Sequence, residues 1–153
     1  MSKSKAIGTR AETAVVNAMR KLGFLSAERH VQKGRYDEGD LWPCPGVIVQ
    51  VKGGAYARAA SDNAIERWAE EAEWQRKNAS ADVGFVVLQT AGIGEANAHR
   101  WRAVMSFNMI VRITGSHSAY HSANLIPVTM TLESACLVLR ANGYGTELNE
   151  GNE

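Results

Sequence analysis

The hydrophobic positions of this chain recur with two periods, 3.6 and 2, and the changes between them predict its elements. From Thr9 to Leu22, Ala14, Val15, Val16, Ala18, Met19 and Leu22 return at helical spacing, Lys21 falls in the last turn and Gly23 stops the run. Phe24 to Lys33 leaves room for a short strand before a turn at Lys33-Gly34-Arg35. Gly39-Asp40-Leu41-Trp42 and Val47-Ile48-Val49-Gln50-Val51-Lys52 then read as the two arms of a hairpin turned at Pro43-Cys44-Pro45-Gly46. The second arm is rich in β-branched residues and stops at Gly53-Gly54. Its alternation sends Val47, Val49 and Val51 to one face and Ile48, Gln50 and Lys52 to the other.

A second helix, capped by Ser61 or Asp62, is predicted to run to about Asn78, with Ile65, Trp68, Ala69, Ala72 and Gln75 along one side. Val83 to Leu88 is a continuous apolar run of strand length, suited to burial on both faces. Farther on, the pattern predicts a helix over Glu95 to Met105, strands over Met109 to Ile113 and Leu125 to Met130, and a capped helix from Thr131 to Ala141 ending before Gly143. The sum is an α/β chain. Its 153 residues suit one domain over 1–153, burying about two-thirds of its unfolded surface without a disulfide or metal staple.

Composition excludes some classes. Apolar residues at 45% and charged residues at 22% argue against global disorder. No apolar run reaches the roughly 18 residues of a membrane span, and Met1-Ser2-Lys3-Ser4-Lys5 leads into a polar helix, so a cytoplasmic protein without a membrane partner is expected. Cys44 and Cys136 lack CxxC spacing, which favours free thiols. The net charge of +1 hides an asymmetry: residues 1–35 hold eight Lys/Arg against Glu12 and Glu28, a local +6, while Glu147, Glu150 and Glu153 follow Arg140. A basic end suits phosphate binding, since each neutralised phosphate releases counterions; a solvated basic surface is the bland alternative.

Asp40, separated by nine residues from Gln50-Val51-Lys52 on a hydrophobic strand, is the feature that raises the chain above an anonymous domain. With Glu12 on the first helix, the set resembles the PD-(D/E)XK nuclease superfamily, in which an Asp begins one strand, an acidic-x-Lys triplet ends the next and a helix contributes a glutamate. Gly39-Asp40 stands where Pro-Asp usually does, and Gln50-Val51-Lys52 where (D/E)xK does. Within that superfamily, Gly8-Thr9-Arg10-Ala11-Glu12 followed by Leu22-Gly23-Phe24 is similar to the archaeal-type Holliday junction resolvases and their phage relatives. The likeness spans about residues 7–90. It implies a restriction-endonuclease-like α-β-β-β-α-β core with a central mixed sheet flanked by helices, and leaves 91–153 as additional strands and helices packed on that core.

The resemblance further implies a metal-dependent, structure-selective DNA endonuclease that hydrolyses phosphodiester bonds, with a Holliday junction resolvase as the leading reading. A four-way junction has near two-fold symmetry, so paired incisions call for a homodimer. A bacterial, archaeal or phage-infected cytoplasm is the expected setting. A general restriction-like or repair nuclease and a catalytically silent DNA-binding relative are the alternatives. The catalytic set is Glu12, Asp40, Gln50 and Lys52. Asp40, the Gln50 side-chain oxygen, the Val51 carbonyl and Glu12 would hold Mg²⁺, with Mn²⁺ as substitute, because such cations take oxygen ligands. Lys52 would orient the attacking water and stabilise charge growing on the phosphorus. Gln50 departs from the acidic pattern and removes one negative charge from the metal site.

Other readings stand beside these. Glu12 as a solvated residue paired with Arg10 or Arg20, Asp37 or Glu38 as the ligand in place of Asp40, and Lys52 as a mere strand end all fit the residues alone. Lys3, Lys5, Arg10, Lys33, Arg35, Tyr56 and Arg58, with Tyr36 beside them, are the candidate DNA contacts. Trp68 and Trp74 are expected in core or dimer contacts. His117 and His121 lack a third ligand and read as loop histidines.

Overall fold

The computed structural model describes residues 2–115 and 125–148. Helix α1 (Lys3–Lys21) opens on Ser2, whose Oγ accepts the Lys5 N–H at 3.2 Å, so the helix begins six residues before the expected start at Thr9. It ends at Leu22 and Gly23, where φ is +100°. One open sheet follows, with strands β1 (Glu28–Arg29), β2 (Leu41–Cys44), β3 (Val47–Lys52), β4 (Val83–Leu88), β5 (Arg102–Ser106) and β6 (Pro127–Thr131) in spatial order β1 to β6. Only the β3–β4 pair is parallel, across a crossover formed by the short α2 (Ala55–Arg58) and by α3 (Asp62–Asn78). Through β4 the elements come in the expected order with α2 added.

The alternation predicted for β3 holds and sorts the two cores. Val47, Val49 and Val51 join Ala11, Val15 and Met19 of α1 and Leu132, Ala135 and Leu139 of α5 (Leu132–Ala141) on one face. On the other, Ile65, Trp68 and Ala69 of α3 cover Val86, Leu88 and Val104. Two glycines set how closely the helices approach. A Cβ at Gly84 would lie 2.8 Å from Arg76 Cβ and 2.9 Å from the Ala72 carbonyl, so α3 rests directly on β4. A Cβ at Gly53 would lie 2.6 Å from Ala11 Cβ, so the end of β3 abuts the first turns of α1, one residue from Glu12.

Several expectations about elements need correction. The helix predicted over Glu95 to Met105 is a 3-10 helix (Glu95–Arg100) followed by β5. Trp101 is extended at ψ 154°, and the run Arg102–Ser106 finds ladder partners in β4 and β6, a tertiary gain that overrides helical spacing. The strand predicted over Met109 to Ile113 is helix α4 (Phe107–Ile113). Ser106 Oγ accepts the Met109 N–H at 3.1 Å, a cap that starts a helix in spite of its β-branched residues. The hairpin turn is shorter than Pro43–Gly46: β2 runs through Pro43 to Cys44, with irregular register, and Gly46 turns at φ +85°. The last two strands extend the sheet that the first four build.

Candidate active site

The site lies where β2 and β3 part. Asp40 N–H donates to the Val49 carbonyl at 2.9 Å as the last backbone bond of that ladder. The next donor, Val51 N–H, is taken by the Asp40 side chain, whose Oδ2 accepts it at 2.8 Å. In a strand, the N–H and C=O of one residue point to the same edge, so the Val51 carbonyl faces the Asp40 edge too. β1 secures Asp40 from the other side: His30 N–H donates to the Asp40 carbonyl at 2.8 Å, and the His30 ring stacks on Trp42 with centroids 4.0 Å apart.

Burial pushes the Asp40 carboxyl up to about 6, against the opposing Val51 N–H; the charges of Glu12 and Asp37 raise it further and Lys52 lowers it. The structure thus brings Asp40 within electrostatic reach of both Glu12 and Lys52. It also separates the three acids of the Asp37–Asp40 stretch. Asp37 is engaged as a tie, accepting Gly39 N–H at 3.0 Å and Gln75 Nε2 at 2.9 Å. Glu38 lies 3.4 Å from His30 Nε2. Asp40 is the one bonded to β3.

Gln50 is 8% exposed, and its Oε1 is buried without a hydrogen-bond partner among the described residues. An unpaired buried acceptor costs about 1–3 kcal/mol. Lys52, on the same strand face, sets its Nζ 3.1 Å from Glu71 Oε2 and 5.6 Å from the centre of the Trp68 ring, both on α3. Glu12 approaches from α1 and accepts Arg29 Nε at 2.7 Å. Its partner is therefore Arg29 rather than Arg10 or Arg20: Arg10 pairs with Glu95 at 2.9 Å and Arg20 donates to the Ala27 carbonyl.

Arg29 and Glu71 were not singled out as site residues from the sequence, and Gln75 was read only as part of the helix's inner side. Glu71 had a usable signal, since it follows Trp68 by three residues and borders the buried stripe of α3. Arg29 had none, because its approach to Glu12 depends on β1 folding back along β2.

Of the candidate DNA contacts, Lys3, Lys5, Arg10, Lys33, Arg35, Tyr56 and Arg58 are all exposed. Arg35 lies over the exposed Tyr36 ring at 5.3 Å from its centre. Arg10 points elsewhere than expected: it lines a groove of about 500 Å³ with Thr13, Asn17, Lys21 and His99, on the flank of α1 away from Glu12. Trp68 is core, while Trp74 is 64% exposed. His117 and His121 lie outside the described residues.

The donor set suits a hard cation. Asp40 contributes a carboxylate whose ionisation burial opposes, Gln50 an amide oxygen lacking a partner, Val51 a carbonyl on the right edge and Glu12 a second carboxylate. Among the described residues no group of three or more His, Cys, Asp or Glu side chains is placed to hold a metal ion. Comparison of the chain with protein-family models, with curated proteins and with solved structures finds no match.

Proposed function

We propose that this protein is a metal-dependent DNA endonuclease with a restriction-endonuclease-like core, acting on branched DNA as a Holliday junction resolvase and working as a homodimer. One observation carries the reading: Asp40 is fastened to the Val51 N–H where β2 and β3 separate, and the preceding residue on β3, Gln50, has a buried and unpartnered amide oxygen. A folded chain tolerates such an orphan acceptor where a ligand satisfies it.

In this reading Asp40, Gln50 Oε1, the Val51 carbonyl and Glu12 would hold Mg²⁺ or Mn²⁺, which would supply Lewis-acid activation of water and phosphate. Asp40 sets the position of the site through its bond to Val51. Lys52 donates from its ammonium to the phosphate oxygens as negative charge grows on them, and orients the attacking water. Arg29 holds the Glu12 carboxylate in one rotamer. Exposed Lys3, Lys5, Lys33, Arg35, Tyr56 and Arg58 supply phosphate contacts around the scissile bond.

The test is cleavage of a synthetic four-way junction and a matched duplex, each with and without Mg²⁺ or Mn²⁺. Symmetric metal-dependent nicks in the junction alone support the resolvase, whereas equal cutting of both substrates supports a general nuclease. One observation favours a second reading, a DNA-binding relative without catalysis: Glu12 and Lys52 are already engaged by Arg29 and Glu71. Tight binding with no cutting under either metal would establish that second reading.

A further inference from the structure

Position 50 carries no charge, yet Lys52 has a carboxylate partner. An acid at position 50 would share the strand face of Lys52 at roughly 7 Å along β3 and would be its nearest ion partner in sequence. Glutamine cannot hold an ammonium by charge. The partner instead comes from the helix across that face: Glu71 Oε2 lies 3.1 Å from Lys52 Nζ. Trp68, one turn earlier on α3, presents its ring to the same amine at 5.6 Å. The Lys52 side chain is 24% exposed and that of Glu71 50%, so the lysine stem is mostly covered and its ammonium emerges beside the carboxylate.

We propose that Glu71 is the positioning residue for Lys52, performing from α3 the electrostatic role that a carboxylate at position 50 would perform from β3. Gln50 and Glu71 then form a compensating pair. The amide at 50 remains free to give its oxygen to a cation, and the charge that fixes the amine sits one layer away. The inference rests on the nuclease reading, in which Lys52 touches the phosphate. It differs from the bland reading of a half-exposed ion pair, whose removal changes little.

The experiment uses the full chain with a four-way junction and Mg²⁺, comparing wild type with Glu71→Gln, Gln50→Glu, the Gln50→Glu/Glu71→Gln double variant, Lys52→Ala and Lys52→Ala/Glu71→Gln. A misplaced amine predicts that Glu71→Gln lowers kcat by about 10- to 100-fold, with KM for the junction within about twofold of wild type. The Gln50→Glu/Glu71→Gln variant recovers most of that loss, and Lys52→Ala/Glu71→Gln is no slower than Lys52→Ala because Glu71 acts only through Lys52.

Wild-type kcat in Glu71→Gln, a loss confined to KM, or a further loss on the Lys52→Ala background would overturn the proposal. If Glu71→Gln unfolds, Glu71→Asp, which keeps the charge on a shorter arm, replaces it, with a kcat between wild type and Lys52→Ala expected and a kcat at either extreme overturning the proposal. A wild-type protein that binds junctions and never cuts them sinks the nuclease reading and the role of Lys52 together. Wild-type cutting matched by Glu71→Gln sinks only the role of Glu71.

Discussion

Replacing Asp40 with Asn is predicted to stabilise the metal-free protein at neutral pH while removing cleavage. The Asp40 carboxyl ionises at about 6 in the folded chain against an ordinary value of 3.8. A folded-state value above the unfolded one means that the native state binds the proton more tightly, so stability falls as pH rises from about 4 through 6 and the full cost is present above that. A shift of about two pH units corresponds to roughly 3 kcal/mol. Asp40 is half-buried, and solvent screening makes that figure a ceiling, leaving about 1–3 kcal/mol. Asparagine has no charge to lose, and its side-chain oxygen can still accept the Val51 N–H now bonded at 2.8 Å.

For a chain of this size each kcal/mol moves Tm by roughly 2–4 °C, so in chelator at pH 7.5 Asp40→Asn should melt about 2–12 °C above wild type. Towards pH 4 most of the gain should disappear, since Asp40 in the folded chain is then almost wholly protonated. Adding Mg²⁺ should raise the wild-type Tm by mass action and leave the variant unmoved. Calorimetry across pH 4–8, with and without the cation, tests all three. A variant no more stable than wild type at pH 7.5, or a gain that persists unchanged at pH 4, would refute the reasoning that burial opposes the ionisation of this carboxylate.

Three other perturbations probe different parts of the site. Lys52→Ala should lower junction cleavage at least about 100-fold with binding within a few-fold, measured by single-turnover cutting and by fluorescence anisotropy in Ca²⁺; unaltered cutting would remove Lys52 from the mechanism. Arg29→Ala leaves the Glu12 carboxylate without its 2.7 Å partner, so the Mn²⁺ dependence of cleavage should shift by about threefold or more, and an unchanged metal titration would mean that Glu12 is not a ligand. Gly53→Ala sets a new Cβ 2.6 Å from Ala11 Cβ; about 1–3 kcal/mol of lost stability in urea unfolding should accompany reduced cleavage, and a neutral result would show that α1 can shift without moving Glu12.

What the sequence disclosed depended on how local the cause was. The faces of β3 were legible because alternation along a strand needs no knowledge of the partner, and the Ser61 cap of α3 was legible because its Oγ reaches only three residues ahead, to Ala64 N–H. β5 was not, since Arg102–Ser106 becomes a strand through β4 on one side and β6 on the other, a pairing that spacing cannot encode. α4 failed for a different reason: Ile110, Val111 and Ile113 favour strands by propensity, whereas the Ser106 Oγ that accepts Met109 N–H starts a helix. Asp40 and Lys52 were singled out together because both belong to one hairpin. Their partners Arg29 and Glu71 arrive from β1 and α3, and each meets its mate only after the sheet has closed.

The same distinction organises the electrostatics of the site. Glu12 is offset by Arg29 and Lys52 by Glu71, so two of the four motif residues enter the site already neutralised. Asp37 spends its oxygens on a backbone N–H and the Gln75 amide, neither of which carries charge. Asp40 is left as the carboxylate whose ionisation the fold resists, and Gln50 beside it offers oxygen without charge. An acid at position 50 would add a second charge to this half-buried cluster and push the Asp40 carboxyl higher still in the metal-free state. In the proposed reading, glutamine trades cation affinity for one fewer negative charge beside Asp40. A cation held this way should bind weakly and exchange readily, and phosphate oxygens of the DNA would supply part of the coordination that the protein withholds.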